Sequence, residues 1–168
     1  LFFFCLLSNA KTITVGKSFP VKTIKQAIAL ANDGDTIIVT KGIYKEGNIV
    51  VARSISLIGV NWPVLDGQRK YEVVSIKASH VLFTGFKVQY SGYASLDDPG
   101  GIKVYDSQYV DIIGNELLDN FFGIYLQYSK HCIVKGNKIV ASGIEEQQIG
   151  NGIHCWKSDS LQIVANTI

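Results

Sequence analysis

Beyond the first ten residues, the side chains with an affinity for soft metal ions are Cys132, Cys155, His80, His131 and His154. Cu(I) prefers sulfur and accepts imidazole, and the chain has no Met. Two adjacent pairs stand out, His131–Cys132 and His154–Cys155. Neighbouring residues of a strand face opposite sides, so one such pair does not readily close on one ion. His154, expected on an outward face, and His131, expected near a corner, are the candidates for a transient copper contact, and no tightly bound cofactor is expected. Cys132 and Cys155 fall in apolar columns and are expected to point inward, where a thiol acts as a small hydrophobe.

The carboxylates offer less. Cleaving a sugar polymer takes paired carboxylates, or an acid cluster that binds a cation beside a base. The one adjacent Asp pair is Asp97–Asp98, and the Arg residues are Arg53 and Arg69 alone. No strand pattern repeats an acid at one outward slot in adjacent turns, so the residues predict a protein that is not an enzyme. Sixteen Lys+Arg against fourteen Asp+Glu leave a net charge of +2, too small a field to hold nucleic acid. At 47% hydrophobic and 18% charged residues, the chain is not a disordered tail.

Four segments that align with at most a one-residue gap must position these side chains. They are 74–88, 102–117, 124–139 and 153–168, and their starts lie 28, 22 and 29 residues apart. Ile102/Val104, Ile124/Leu126 and Ile153/Cys155 form one inward pair of columns. Val110/Ile112, Cys132/Val134 and Leu161/Ile163 form another. Alternation with period two places these residues on one strand face. Strands of about five residues cannot bury a face alone, but stacked turns can. Asn115, Asn137 and Asn166 share one corner slot, and Ser107, Ser129 and Ser158, with Ser79, share another. A stacked Asn is expected to take the left-handed corner conformation and to hydrogen-bond its copies. The pattern describes an all-β parallel β-helix.

Two insertions lengthen the repeat, Gln89–Gly101 and Val140–Gly152. Both leave the same corner, one short turn apart, so their bases are expected about 10 Å from each other. Tyr93, Asp97 and Asp98 lie on one insertion and Glu145 and Glu146 on the other, with Phe121–Phe122 between them. An acidic rim around an aromatic floor predicts a partner-docking surface, because loops on rigid scaffolds carry function.

The N-terminal part reads differently. Residues 1–10 resemble the end of a secretion signal, seven apolar residues followed by Ser8-Asn9-Ala10. No segment is long and apolar enough to span a membrane. Residues 11–47 are expected to cap the solenoid. Thr23 and Gln26 have the spacing of a capping box, which predicts a helix over about 23–32 stopped by Gly34. Residues 48–168 form the coils, and the pattern stops in mid-repeat.

Thr23, Ile24, Ala27, Ile28, Ala31, Gly34, Asp35, Thr36, Ile37, Val39, Gly42, Tyr44 and Glu46 together resemble the opening of the pectin-lyase-like superfamily. That resemblance implies a right-handed, single-stranded β-helix with a short N-terminal capping helix. The stretches 58–67, 119–126 and 150–156 look like the NosD family. This second resemblance implies a non-enzymatic protein of the periplasm that assists assembly of the copper–sulfur cluster of nitrous oxide reductase. Its implied partners are an ABC transporter, a copper chaperone and the reductase itself. The alternatives are a carbohydrate-active enzyme or polysaccharide-binding module on the same fold, or a surface adhesion fragment.

Overall fold

Alternating apolar residues form short strands that coil into a parallel β-solenoid, in a computed structural model that describes residues 10–93, 98–143 and 150–168. The first sheet stacks β1 (Thr12–Val15), β2 (Thr36–Val39), β5 (Ser56–Gly59), β8 (Val81–Thr84), β11 (Val110–Ile113), β14 (Ile133–Lys135) and β17 (Gln162–Val164). The second stacks β4 (Ile49–Val51), β7 (Val74–Ile76), β10 (Gly100–Tyr105), β13 (Phe122–Gln127) and β16 (Ile153–Trp156). The third stacks β3 (Ile43–Tyr44), β6 (Val64–Asp66), β9 (Lys87–Gln89), β12 (Glu116–Leu118) and β15 (Lys138–Val140). Every strand pairing is parallel, and each coil visits the second, first and third sheets in turn.

The register of the second sheet joins Val74, Ile102, Ile124 and Ile153 in one row. These are the starts of the four aligned segments, so the sequence repeat is the structural coil. Two strands are longer than the expected five residues: β10 and β13 each have 6. The inward columns are buried along the axis, with Phe83 and Phe86 stacked at 4.6 Å between ring centres.

The corner between the first and third sheets shows how the turns are held together. The Asn137 Oδ1 accepts from the Asn115 backbone N–H at 2.9 Å and from Asn115 Nδ2 at 3.0 Å. The Asn166 Oδ1 accepts from the same groups of Asn137 at 2.9 and 3.0 Å. Each amide also donates back to the chain, Asn137 Nδ2 to the Ile112 carbonyl at 2.9 Å and Asn166 Nδ2 to the Val134 carbonyl at 2.8 Å. The ladder starts at Phe86, whose N–H donates to Asn115 Oδ1 at 3.1 Å. The conformational expectation needs correction. Along the ladder the left-handed residues are Gly85, Gly114, Gly136 and Ala165, each one position before a rung, and Asn115, Asn137 and Asn166 are not among them. The preceding residue, glycine at three of the four corners, takes the backbone strain, which frees the amide to bridge turns.

The Ser column is bonded more locally. Ser129 N–H donates to Ser158 Oγ at 2.9 Å, while Ser107 and Ser129 hydroxyls donate to carbonyls two residues back.

The helix is α1 (Ile24–Leu30), shorter than expected, and it ends at Ala31 rather than at Gly34. Ala31 leaves the helical region while its N–H still bonds the Ala27 carbonyl at 3.0 Å. Gly34 instead sits at φ +88° in the next turn. Thr23 Oγ1 caps Gln26 N–H at 3.1 Å, as the spacing predicts. Gln26 reaches the Lys22 N–H at 3.3 Å, not that of Thr23. The first free amides go to Glu46, which accepts from Ile24 N–H at 2.8 Å and Lys25 N–H at 3.0 Å. Ile24, Ala27 and Ile28 are buried on the end of the core. Among the described residues no helix is long and apolar enough to cross a membrane.

The ladder gives two expected outcomes. Asn137→Leu should lose about 1–3 kcal/mol, because buried backbone donors lose their acceptor. Gly136→Ala should lose about 1–2 kcal/mol from the left-handed conformation alone. Urea denaturation of the full chain checks both.

Candidate ligand-binding groove

The second sheet carries its chemistry on its outer face. Strand alternation sends Ile102 and Val104 into the core and Lys103 and Tyr105 outward. Stacking then builds columns: Val50, Ser75, Lys103, Tyr125 and His154 lie in one row, and Tyr105, Gln127 and Trp156 in the next.

Connections rise beside this face and turn it into a groove of about 920 Å³. Lys70, Tyr71 and Glu72 line it from the connection after β6, and Tyr93, Asp98 and Pro99 from the connection after β9. Arg69 fixes the second wall. Its guanidinium donates to Tyr93 Oη at 2.7 Å, lies 4.6 Å from the centre of the Tyr90 ring, and pairs with Asp119 at 3.7 Å.

The groove floor is a connected polar layer. Glu72 accepts from Tyr105 Oη, at 2.9 Å on one carboxylate oxygen and 3.1 Å on the other, and from Ser75 Oγ. Ser75 Oγ in turn accepts from Asn48 Nδ2 at 2.8 Å. Lys103 lies between two rings, its Nζ 4.5 Å from the Tyr125 centre and 5.0 Å from that of Tyr105, and it donates to the Asp98 carbonyl at 3.3 Å. Lys77 Nζ is also 5.0 Å from the Tyr105 ring centre. Burial, followed by the charge of Asp98, raises the Tyr125 phenol above its ordinary value, so this ring stays neutral.

The residues singled out from the sequence fall in different places. Tyr93 and Asp98 line the groove. Phe121 and Phe122 are half-buried beside it and meet edge-on at 5.0 Å. Phe122 packs against Tyr125 at 5.2 Å and His154 at 5.1 Å, and His154 meets Tyr125 edge-on at 4.7 Å. His154 Nδ1 is 2.9 Å from Asn151 Nδ2. Asp97, Glu145 and Glu146 lie outside the described residues, so the acidic rim has no structural description beyond Asp98.

His131 is elsewhere. It ends a stack of three rings at the corner between the second and first sheets, His80–Tyr109 at 5.0 Å and Tyr109–His131 at 5.1 Å, nearly parallel. The three share left-handed backbones, with φ of 57, 56 and 54°. The structure therefore does not bring His131 and His154 to a common metal site. Among the described residues no group of three or more His, Cys, Asp and Glu side chains could hold an ion.

The cysteines differ from each other. Cys132 is buried, and burial pushes its thiol up. Cys155 shares the inward row of Val104 and Leu126 but is exposed, contrary to the core-filling expectation. Among the described residues no strand stacks on the far side of β16 to cover it.

Lys103, Tyr105, Tyr125 and Glu72 were not singled out from the sequence as a site. The signal for the first three was present, since aromatic and cationic residues occupy equivalent outward slots of successive repeats. Glu72 gave none, because its partner Tyr105 is 33 residues away.

A family model described as a right-handed β-helix region matches residues 9–168. Among solved structures, a pectin methylesterase from Aspergillus niger in a penultimately deglycosylated form is similar at 13% identity with a TM-score of 0.39, covering 92% of this chain and 75% of the enzyme. The deglycosylated form of a pectin methylesterase from the same organism gives 15% identity and a TM-score of 0.36, covering 92% and 72%. No curated protein matches.

Gly123 and Gly152 stack so closely that a Cβ on Gly123 would strike the Gly152 carbonyl, and a Cβ on Gly101 would meet the Asn120 side chain at 2.8 Å.

Thiol labelling checks the placement of the cysteines. In a chain carrying Cys5→Ser, one thiol, Cys155, should react at once with an aromatic disulfide reagent at pH 8. Cys132 should react only as the chain unfolds. The raised Cys132 value stabilises the fold fully below the unfolded thiol range of about 8.5, and that contribution is lost as pH rises through the folded value. Stability should therefore fall less between pH 8 and pH 10 in Cys132→Val than in the parent chain.

Proposed function

We propose, from the premise that the chain belongs to the right-handed β-helix family, that it is a non-enzymatic module binding an extended saccharide along its second sheet. The carrying observation is the groove, with Tyr71, Tyr93, Tyr105 and Tyr125 set among Asn48, Ser75 and Gln127. A pyranose ring has C–H faces that pack on aromatic rings and hydroxyls that need donors and acceptors at its edge. Stacked strands repeat these groups along the axis, which suits a polymer better than a compact ligand. Binding without cleavage is favoured by Glu72, whose carboxylate is already held by Tyr105 and Ser75 and is not a free acid or base.

Calorimetric titration with hexasaccharides tests this reading. Tyr71→Ala and Tyr93→Ala should each weaken binding by about tenfold, the scale of one lost aromatic anchor. Incubation should release no reducing or unsaturated ends. Turnover that disappears in Glu72→Gln would replace the binding module with an enzyme.

A second reading has one observation in its favour, the cluster of Phe121, Phe122 and His154 beside the groove. In it, an exported periplasmic chain docks on nitrous oxide reductase, or on the ABC transporter and copper chaperone that serve it, while the copper–sulfur cluster is built. Any copper contact then falls to His154, since His131 is at another corner. Deleting the gene should leave the reductase exported but without its cluster. Normal cluster loading in the deletion strain would remove this reading.

A further inference from the structure

We infer that Lys103 is the receptor for an anionic substituent, a carboxylate or a sulfate, on the ligand of this groove; the inference rests on the saccharide-binding reading. Lys103 stands on an outer sheet face, yet only 5% of it is exposed. An ammonium withdrawn from water is costly unless a carboxylate or several hydrogen bonds compensate it. Among the described residues Lys103 forms no ion pair. Its contacts are the two tyrosine faces and the Asp98 carbonyl. Ring faces attract a cation without neutralising it, so the charge stays available.

The surrounding charges point the same way. Among the described residues, Lys77 and Lys70 also line the groove, and its acids are Glu72 and Asp98. Glu72 is engaged by Tyr105 and Ser75. Asp98 stands at the wall, near enough to Tyr125 to raise its phenol, and the contact it gives Lys103 is its backbone carbonyl. An arriving carboxylate or sulfate would find a cation already desolvated and already held between Tyr105 and Tyr125. Such a charge-assisted bond is strong, and little side-chain freedom remains to be lost. A neutral sugar would pack on the exposed Tyr71 and Tyr93 rings but leave the ammonium uncompensated.

The experiment titrates the full chain with three hexasaccharides: a uronate, its methyl ester, and a sulfated neutral chain. The expected result is that the uronate, the sulfated chain or both bind at least tenfold tighter than the ester in low salt, an advantage that shrinks as salt rises. Lys103→Gln should abolish that preference, and Lys103→Arg should keep most of it. Thermal melting of each variant checks folding, and the preference of the parent chain reads the inference even if a variant does not fold. Equal binding of charged and esterified chains would overturn the inference while leaving the saccharide reading intact. A preference that survives in Lys103→Gln would overturn it as well, moving the charge to Lys70 and Lys77. No binding of any of the three would overturn both.

Discussion

A polar side chain that spans one turn of the coil is the constraint on which this structure depends. Corners must turn the chain sharply while backbone amides remain buried, and an unsatisfied buried amide costs about 1–3 kcal/mol. Asn137 meets this need by accepting from the backbone of the turn on one side while donating to a carbonyl of that same turn. Its own backbone is satisfied by Asn166 from the other side. Because each rung serves its neighbour, the corner holds only when turns sit in register, and that register aligns every column of the molecule. Gly114 and Gly136 make the rung possible by taking the left-handed turn themselves.

Register has consequences on the outside that burial alone would not produce. Once Val74, Ile102 and Ile124 share a row, the residues between the inward positions must share rows too. Ser75, Lys103, Tyr125 and His154 become neighbours about 4.8 Å apart in spite of intervals of 22 to 29 residues. A surface of this kind is rigid because its spacing is that of the sheets. The largest variation falls at the corner after the third sheet, where the connections raise walls without disturbing the core. Arg69 ties those walls together through Tyr90, Tyr93 and Asp119.

At the N-terminal end α1 covers the core, and its own exposed amides are taken by Glu46 from a later turn. This explains a Glu that the superfamily resemblance includes but that no strand pattern would require. At the other end of the described coils Cys155, Ile163 and Ile168 are exposed although they continue inward columns. An inward slot is a core position only when another turn lies above it.

What the sequence determined by itself was the coil. Period-two alternation and the repeated Asn, Ser and apolar slots are local patterns copied along the chain, and copying identifies residues that must stack. From these came the β-helix, the starts of its turns and the inward burial of Cys132, and the Thr23–Gln26 spacing added the N-terminal helix to within two residues. The details of the corner were less legible, since neither the Gly–Asn division of labour nor the role of Glu46 can be seen without knowing which amide lies opposite. The groove was decided only by tertiary structure. Glu72 and Tyr105 meet from 33 residues apart, and Lys103 lies between Tyr105 of its own strand and Tyr125 of the next. His131 and His154, two candidates of one type, stand at different places on their coils, the first in a ring stack at a corner and the second on the outer face of the second sheet. Residue type and spacing can specify a column, but a site made where columns, walls and corners meet depends on the stacking that follows from it.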